Sequence, residues 1–163
     1  MKRILVDFIR AKARFAMETG SDKPLLHAGP VVDWINARHP LLYLSLKTKN
    51  KTIVPLNIKL DKDERILIIT GPNAGGKSVC LKTVGLIQYM LQCGLLVPVD
   101  PDANAGIFEN IFIDIGDEQS LENDLSTYSS HLLNLSFFIQ NCDSQSLFLV
   151  DELGTGTDPS LGG

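Results

Sequence analysis

Arg65-Ile-Leu-Ile-Ile-Thr70, followed by Gly71-Pro-Asn-Ala-Gly-Gly-Lys-Ser78, is the stretch that decides the fold class. Its first part is apolar at almost every position, which is typical of a strand covered on both faces in an α/β sheet. Its second part matches the pattern GxxxxGK[ST], and residues 77–93 continue with apolar positions at helical spacing. Strand, glycine-rich loop and helix occur in the order that makes this pattern credible. The sequence therefore predicts an α/β fold with a central, mostly parallel sheet flanked by helices.

The glycine-rich loop has the composition of a nucleotide-binding site. Glycines allow backbone N–H groups to turn inward onto phosphate oxygens, and the start of the helix adds a partial positive charge. Lys77 is expected to reach the outer phosphates, and the Ser78 hydroxyl to ligate Mg²⁺. A glycine-rich turn with a chance lysine is the plain alternative. The predicted nucleotide-binding residues are Gly71, Pro72, Asn73, Ala74, Gly75, Gly76, Lys77 and Ser78.

A second candidate site lies where an apolar stretch, Ser146–Val150, ends in the adjacent carboxylates Asp151 and Glu152. Proteins with a phosphate-binding loop hold Mg²⁺ and position water with such a strand end. We expect Asp151 to contact the metal through water and Glu152 to act as the general base. An Asp-Glu pair after a strand is often only the start of a loop, but the glycine-rich loop supports the catalytic interpretation.

The rest of the chain divides into further predicted elements. Ile4, Phe8, Ala11 and Phe15 share one face of a predicted amphipathic helix over residues 2–19. We interpret residues 1–30 as this helix and a linker at the end of a preceding domain, and residues 31–163 as one partial domain. Its other predicted elements are strands at Leu42–Leu46, Ile53–Leu60 and Ile107–Ile115, which include an antiparallel segment before the glycine-rich loop, and a helix at Ser126–Asn141.

Composition excludes several classes of protein. The 163 residues are 44% hydrophobic and 21% charged, which argues against disorder, and no apolar run has the length of a membrane helix. Three separated cysteines provide neither a disulfide framework nor a zinc-finger spacing. We expect a cytoplasmic protein with no membrane partner. All 15 Lys and Arg residues precede residue 101, and 11 of the 19 acidic residues follow it. The second part therefore offers no basic surface for nucleic acid.

Four further motifs point to one family. They are Ala37-Arg-His-Pro40, Asp114-Ile-Gly-Asp-Glu-Gln-Ser120, Leu125-Ser-Thr-Tyr-Ser-Ser-His131 and Asp151-Glu-Leu-Gly-Thr-Gly-Thr157, with Asp158-Pro159 closing the last loop. Together with the glycine-rich loop they resemble the ATPase domain of MutS-type DNA mismatch-repair proteins, in the ABC branch of P-loop ATPases. The similarity is greatest to the second bacterial branch, which is linked to recombination control.

The resemblance implies roles for residues that the spacing alone does not assign. Asn73 would face the phosphates, and Gln119, or its neighbours Asp117 and Glu118, would sense the metal and the γ-phosphate. Ser126 would reach the γ-phosphate bound by a partner subunit, so that two sites form across one dimer; a plain helix cap is the alternative. Ile53 and Val54 would pack on the adenine ring, although an apolar pair on a strand is more often core.

The resemblance also implies ATP and Mg²⁺ as ligands, a homodimer, and mismatched or branched DNA contacted through domains that this chain does not contain. We expect the chain to lack the last strands of a complete ABC-type domain, to bind ATP and to hydrolyse it poorly. Two alternatives remain at this point. One is an ABC-type ATPase of transport or chromosome maintenance, which would require an LSGGQ-like sequence where Leu125-Ser-Thr-Tyr stands. The other is a dimerisation module without catalysis.

The three histidines are interpreted as structural. His27, His39 and His131 are scattered and have no acidic residue at the spacing of a metal site. We expect His39 to shape the turn of its Arg-His-Pro sequence.

Overall fold

The computed structural model of the chain describes residues 2–72, 75–115 and 124–151, with backbone only at residue 2 and residues 124–130. They belong to two compact units, Met1–Ile107 and Phe108–Gly163. The first unit contains α1 (Lys2–Thr19), β1 (Leu25–His27), β2 (Val32–Ala37), α2 (Pro40–Thr48), β3 (Leu56–Leu60), α3 (Lys77–Gln92) and β4 (Asn104–Gly106). The second contains β5 (Asn110–Asp114), α4 (Asp124–Asn141) and β6 (Ser146–Val150). The predicted domain boundary near residue 30 stays a prediction.

The sheet of the first unit has four strands in the order β1-β4-β2-β3. β1 and β4 are parallel, whereas β2 is antiparallel to both β3 and β4. The register between β2 and β3 shifts between Trp34 and Ala37, where Asn36 adopts a φ of 53°. The predicted antiparallel segment before the glycine-rich loop is thus present. The sheet that the described residues form here is mixed, so the fold is of the mixed α/β class, and a central, mostly parallel sheet stays a prediction.

The core of the first unit lies between this sheet and α3. Val84 and Ile87 on α3 are fully buried, as the helical spacing predicted, together with Val32 and Trp34 of β2. Gln88 is also buried, and its Nε2 donates to the main-chain oxygen of Gly106 in β4 at 2.9 Å. A buried side-chain amide would be costly without such a partner. This bond therefore fixes α3 against the sheet at a defined position.

The end of α3 forms a Schellman motif. The N–H of Gly94 donates to the oxygen of Leu91, and that of Leu95 to the oxygen of Met90, with Gly94 at a φ of 70°. Lys12 of α1 donates to the oxygens of Cys93 and Gly94, both at 3.2 Å. Its positive charge suits the negative end of the helix. Gly94 therefore ends α3, and Lys12 attaches α1 to this end.

α1 confirms the predicted amphipathic helix, but its apolar face is not fully covered. Ile4 is 75% exposed and Phe8 57% exposed, whereas Ala16 and Thr19 near the end of the helix are buried. α1 also contacts α2. No helix in the described part of the chain is long and apolar enough to cross a membrane.

The predicted central strand before the glycine-rich loop is wrong. Residues 65–70 belong to no strand, and Ile66 and Ile68 are 84% and 79% exposed. Apolar composition shows that a segment can be buried as a strand, but a strand exists only when neighbouring strands supply hydrogen bonds. Within the described residues, none pairs with this segment.

The predicted strand at Leu42–Leu46 is also wrong, because the segment belongs to α2. Pro40 occupies the first turn, where its missing N–H costs nothing. His39 precedes it as the N-cap, and its Nδ1 accepts a hydrogen bond from the N–H of Leu42 at 3.3 Å. These two start signals outweigh the strand-like apolar pattern. The strand predicted at Ile53–Leu60 is confirmed only for β3.

The second unit is a βαβ arrangement. β5 and β6 are parallel, with Asn110 opposite Ser146 and Asp114 opposite Val150, and α4 connects them and packs on β5. The Phe112 ring stacks on the Phe148 ring at 5.1 Å and lies 4.9 Å from that of Phe138 on α4. Parallel neighbouring strands require a crossover connection, which α4 provides here. The aromatic cluster holds α4 against the strands. All three elements confirm the predicted ones within a few residues.

His39 gives a prediction on stability. Burial lowers the pKa of its imidazole below the ordinary value of 6.5, and only an unprotonated Nδ1 accepts the Leu42 bond. Its contribution is therefore complete above pH 6.5 and decreases as the pH falls through the lowered pKa. His39→Ala should cost about 1 kcal/mol near neutral pH. His39→Asn, a good N-cap without a charge, should retain the stability and lose this pH dependence.

Urea unfolding of the three proteins at about pH 7.5 and about pH 5 checks this prediction. An Asn variant as unstable as the Ala variant would contradict the capping role.

Candidate functional site

The glycine-rich loop begins and ends with residues in conformations that favour glycine. Gly71 has a φ of 148°, and Gly76, the N-cap of α3, has a φ of 85° in the left-handed region. The N–H of Gly75 donates to the oxygen of Pro72 at 2.8 Å, which closes a tight turn just before the helix. α3 then begins at Lys77. The described part of the loop is thus a turn that leads directly into a helix N-terminus, as the motif predicted.

Lys77 folds back over the loop that precedes it. Its Nζ donates to the main-chain oxygen of Gly71 at 2.8 Å, and its side chain is half-buried. The ammonium group is therefore held at the mouth of the loop by a neutral acceptor. A phosphate oxygen is a stronger acceptor, because both partners of that bond are charged.

Three other predicted residues of the first unit have mixed outcomes. Ser78 follows Lys77 in the first turn of α3 and is half-buried. Ile53 is half-buried, but Val54 is 89% exposed, and both lie outside β3. Their predicted position on a strand is wrong, because the strand begins three residues after Ile53. Their contact with adenine stays a prediction. Asn73 and Ala74 lie outside the described residues.

In the second unit, two carboxylates lie at the same edge of the parallel strand pair. Asp114 is the last residue of β5, and Asp151 follows β6 directly. The N–H of Asp151 donates to the main-chain oxygen of Asp114 at 2.9 Å, which extends the register by one step. Both residues are buried, at 5% and 9% exposure. Ligands of α/β sheets bind at the carboxyl ends of parallel strands, so the position of Asp151 fits its predicted role.

Asp114 has two side-chain partners on α4 that sequence reasoning missed. Its Oδ2 lies 2.7 Å from Nδ1 of His131, and its Oδ1 accepts a hydrogen bond from Nδ2 of Asn134 at 3.0 Å. The prediction considered only acidic residues at the sequence spacing of a metal site, so it did not find Asp114; the structural role predicted for His131 is not contradicted. The two residues are 17 positions apart, and the β-α-β crossover brings them together. A βαβ pattern with a polar residue at the end of the first strand was the available signal.

The remaining predicted residues are only partly described. Ser126 is the third residue of α4, inside the first turn rather than before it, so the plain cap position does not apply. Its side chain, and the whole of Gln119 and Glu152, lie outside the described residues, and their roles stay predictions. Among the residues that the structure covers, no group of three His, Cys, Asp or Glu side chains is placed to hold a metal by itself.

Comparison with known proteins gives the family. Residues 67–162, more than half of the chain, match the family described as MutS domain V. The chain belongs to the MutS family. Among similar proteins, "Endonuclease MutS2" of Finegoldia magna is 50% identical over 157 residues, which are 96% of this chain and 19% of that protein. The same alignment length and coverage give 48% identity with "Endonuclease MutS2" of Carboxydothermus hydrogenoformans and 46% with that of Clostridium kluyveri.

These relatives place the MutS-family chain in the second branch of the family, as its motifs predicted. The chain spans about a fifth of the length of the relatives that it matches. MutS membership also decides against the alternative of an ATPase of transport. The glycine-rich loop starts four residues after the start of the family match, so the loop belongs to the matched region.

The left-handed turn at Gly76 leads to a second prediction. A Cβ at Gly76 meets no atom within 4 Å, so Gly76→Ala is opposed by its φ of 85° and not by crowding. We expect a loss of about 1–2 kcal/mol in the free energy of unfolding. Gly75→Ala is the matched control, because Gly75 lies outside the left-handed region and its added Cβ would meet Pro72 at an ordinary 3.5 Å.

Denaturant unfolding of both variants measures the difference, and the control should stay within about 0.5 kcal/mol of the parent. Equal losses in the two variants would mean that the left-handed turn is not the constraint.

Proposed function

We propose that this chain is the ATP-binding part of the ATPase of a MutS protein of the second branch. The observation that carries the proposal is the turn from Gly71 to Lys77. Gly76 adopts a left-handed conformation just before α3, and the Lys77 ammonium group bonds back to Gly71 at the start of the loop. A helix N-terminus with free N–H groups and a nearby cation is a site for anions. In the GxxxxGK[ST] pattern, the anion is the phosphate chain of a nucleotide.

Phosphate binding would change the contact between Lys77 and the start of the loop. Lys77 would exchange the carbonyl of Gly71 for the oxygens of the β- and γ-phosphates, which replaces a neutral acceptor by a charged one. The core of the first unit need not move for this exchange, since α3 is fixed by its buried face and by the bond from Gln88 to Gly106. The site is therefore preorganised on a rigid helix.

Mg²⁺ would supply charge neutralisation of the phosphates and orientation of water. This ion keeps several waters and takes few ligands from the protein, the rest being phosphate oxygens, so a group of three acidic or histidine side chains is not required. In the first unit, Ser78 offers its hydroxyl from the first turn of α3. In the second unit, Asp151 offers a buried carboxylate that suits a metal-bound water.

ATP hydrolysis would require Glu152, the residue after Asp151, as the general base that takes a proton from the attacking water. Ser126, in the first turn of α4, would act on the γ-phosphate of a partner subunit, so that turnover depends on a homodimer. ATP binding and hydrolysis would then change the conformation of a dimer bound to mismatched or branched DNA. The acidic second part of this chain implies that other segments of the longer protein contact DNA.

Removing the ammonium group gives the prediction on binding. Lys77→Ala should lower the affinity of this chain for Mg²⁺-ATP by about 100-fold or more, because a charge-assisted contact to phosphate is lost. Lys49→Ala removes the same charge from an exposed position at the end of α2 and should leave the affinity unchanged. Titration with a fluorescent ATP analogue measures both. A parent chain that is folded and dimeric but does not bind ATP would favour the alternative of a dimerisation module.

Replacing the proposed base gives the prediction on turnover. In a full-length protein of this branch that carries this chain, Glu152→Ala should retain ATP binding and slow hydrolysis by about 100-fold or more. Glu109→Ala removes an exposed carboxylate of the second unit and is the control. Phosphate release, measured beside ATP binding, separates the two steps. Turnover at the parent rate in the Glu152 variant would remove this residue from the mechanism.

A further inference from the structure

Asp114 connects three parts of the second unit through separate atoms. Its two carboxylate oxygens contact Nδ1 of His131 and Nδ2 of Asn134 on α4, at 2.7 and 3.0 Å. Its main-chain oxygen accepts the N–H of Asp151 at 2.9 Å. The Asp114 side chain is 6% exposed, and that of His131 is 20% exposed. Asp114 thus joins α4 to the end of β6, where Asp151 is the carboxylate proposed to contact Mg²⁺ through water.

The two contacts on α4 act together. His131 and Asn134 are three residues apart, so they lie on the same helix face and hold both oxygens of one carboxylate. Leaving a buried carboxylate with an unmet partner is costly. A shift of α4 along or around its axis would break these bonds, so the helix face and the end of β5 move as one body.

This arrangement does more than hold the helix on the strands. Phe112, Phe138 and Phe148 already attach α4 to β5 and β6 by aromatic packing. An apolar side chain at position 114 would extend that packing, and replacing both partners of a buried polar contact by apolar groups is often nearly neutral or stabilising. The hydrogen bonds of Asp114 with His131 and Asn134 also fix the orientation of α4, because they set distances and angles that apolar contacts leave variable.

We propose that Asp114, His131 and Asn134 form a positioning cluster that fixes the Asp151 end of β6 relative to α4 and thereby sets the geometry of the metal-side carboxylate. The role in hydrolysis rests on the function proposed above. Ser126 lies five residues before His131 on the same helix, so the cluster also links the segment that would meet a partner subunit to Asp151. None of the three residues is proposed to touch the nucleotide.

Hydrogen–deuterium exchange of this chain tests the cluster without nucleotide. Asp114→Ala and His131→Ala should raise the exchange rate of the Asp151 amide by about tenfold or more, since its acceptor is no longer held. Asp114→Asn keeps the shape and can bond both partners with the other tautomer of His131, so it should stay near the parent. Gln140→Ala, which removes an exposed side-chain bond farther along α4, is the control.

Asn134→Ala removes the hydrogen bond from the Asn134 amide and serves if the other alanine variants do not fold; it should give a smaller rise in exchange at Asp151 than His131→Ala. Equal exchange at Asp151 in the parent and in the folded alanine variants would overturn the proposal. An Asn variant that behaves like Asp114→Ala would also overturn it, because positioning by hydrogen bonds predicts rescue by the amide.

The second readout is the Mg²⁺ requirement of ATP turnover in a full-length protein of this branch. Loss of His131 should raise the Mg²⁺ concentration for half-maximal turnover by about 10–100-fold, as is usual for partners of metal-side residues. ATP binding without Mg²⁺ should not change. An unchanged requirement, with only lower thermal stability, would show a merely structural cluster. If the parent does not bind ATP, the proposed function fails. The exchange experiment still tests whether Asp114, His131 and Asn134 position Asp151.

Discussion

The first unit depends on the place where α3 begins. Gly76 takes a left-handed conformation there, which turns the chain from the glycine-rich loop into sixteen residues of helix. The start of this helix lies next to the loop, its buried face carries Gln88, which bonds Gly106 of β4, and the carbonyls just after its end receive Lys12 of α1. Because one rigid element does all three, the geometry of the loop is tied to the core.

The second unit depends in a similar way on one parallel pairing. When β5 and β6 align with Asp114 opposite Val150, their carboxyl ends meet at one edge. The crossover through α4 then brings His131 to Asp114, although the two are distant in sequence. A buried carboxylate held by two side-chain hydrogen bonds is costly to rearrange, so this edge keeps a defined geometry. Asp151 is held at this edge because its N–H donates to the main-chain oxygen of Asp114.

The uneven charge along the chain agrees with the proposal that the earlier part binds phosphate and the later part binds the metal and its water. The basic residues all precede residue 101 and include Lys77 in the loop that would bind phosphate. The later residues are acidic and include Asp151 and Glu152, which suit a divalent cation and its water. The later part does not resemble a surface that binds DNA, because it has no Lys or Arg to neutralise phosphates.

The sequence by itself determined α1, α3, α4 and β6, because helical periodicity, glycine caps and a short apolar run are local properties. It also determined the loop and its likeness to the MutS family, since both depend on residue order. The tertiary structure alone decided that residues 65–70 are not a strand here, that Leu42–Leu46 is helical, and that His131 meets Asp114. Strand pairing and contacts between distant residues arise from how the chain packs, and spacing along the sequence does not encode those distances.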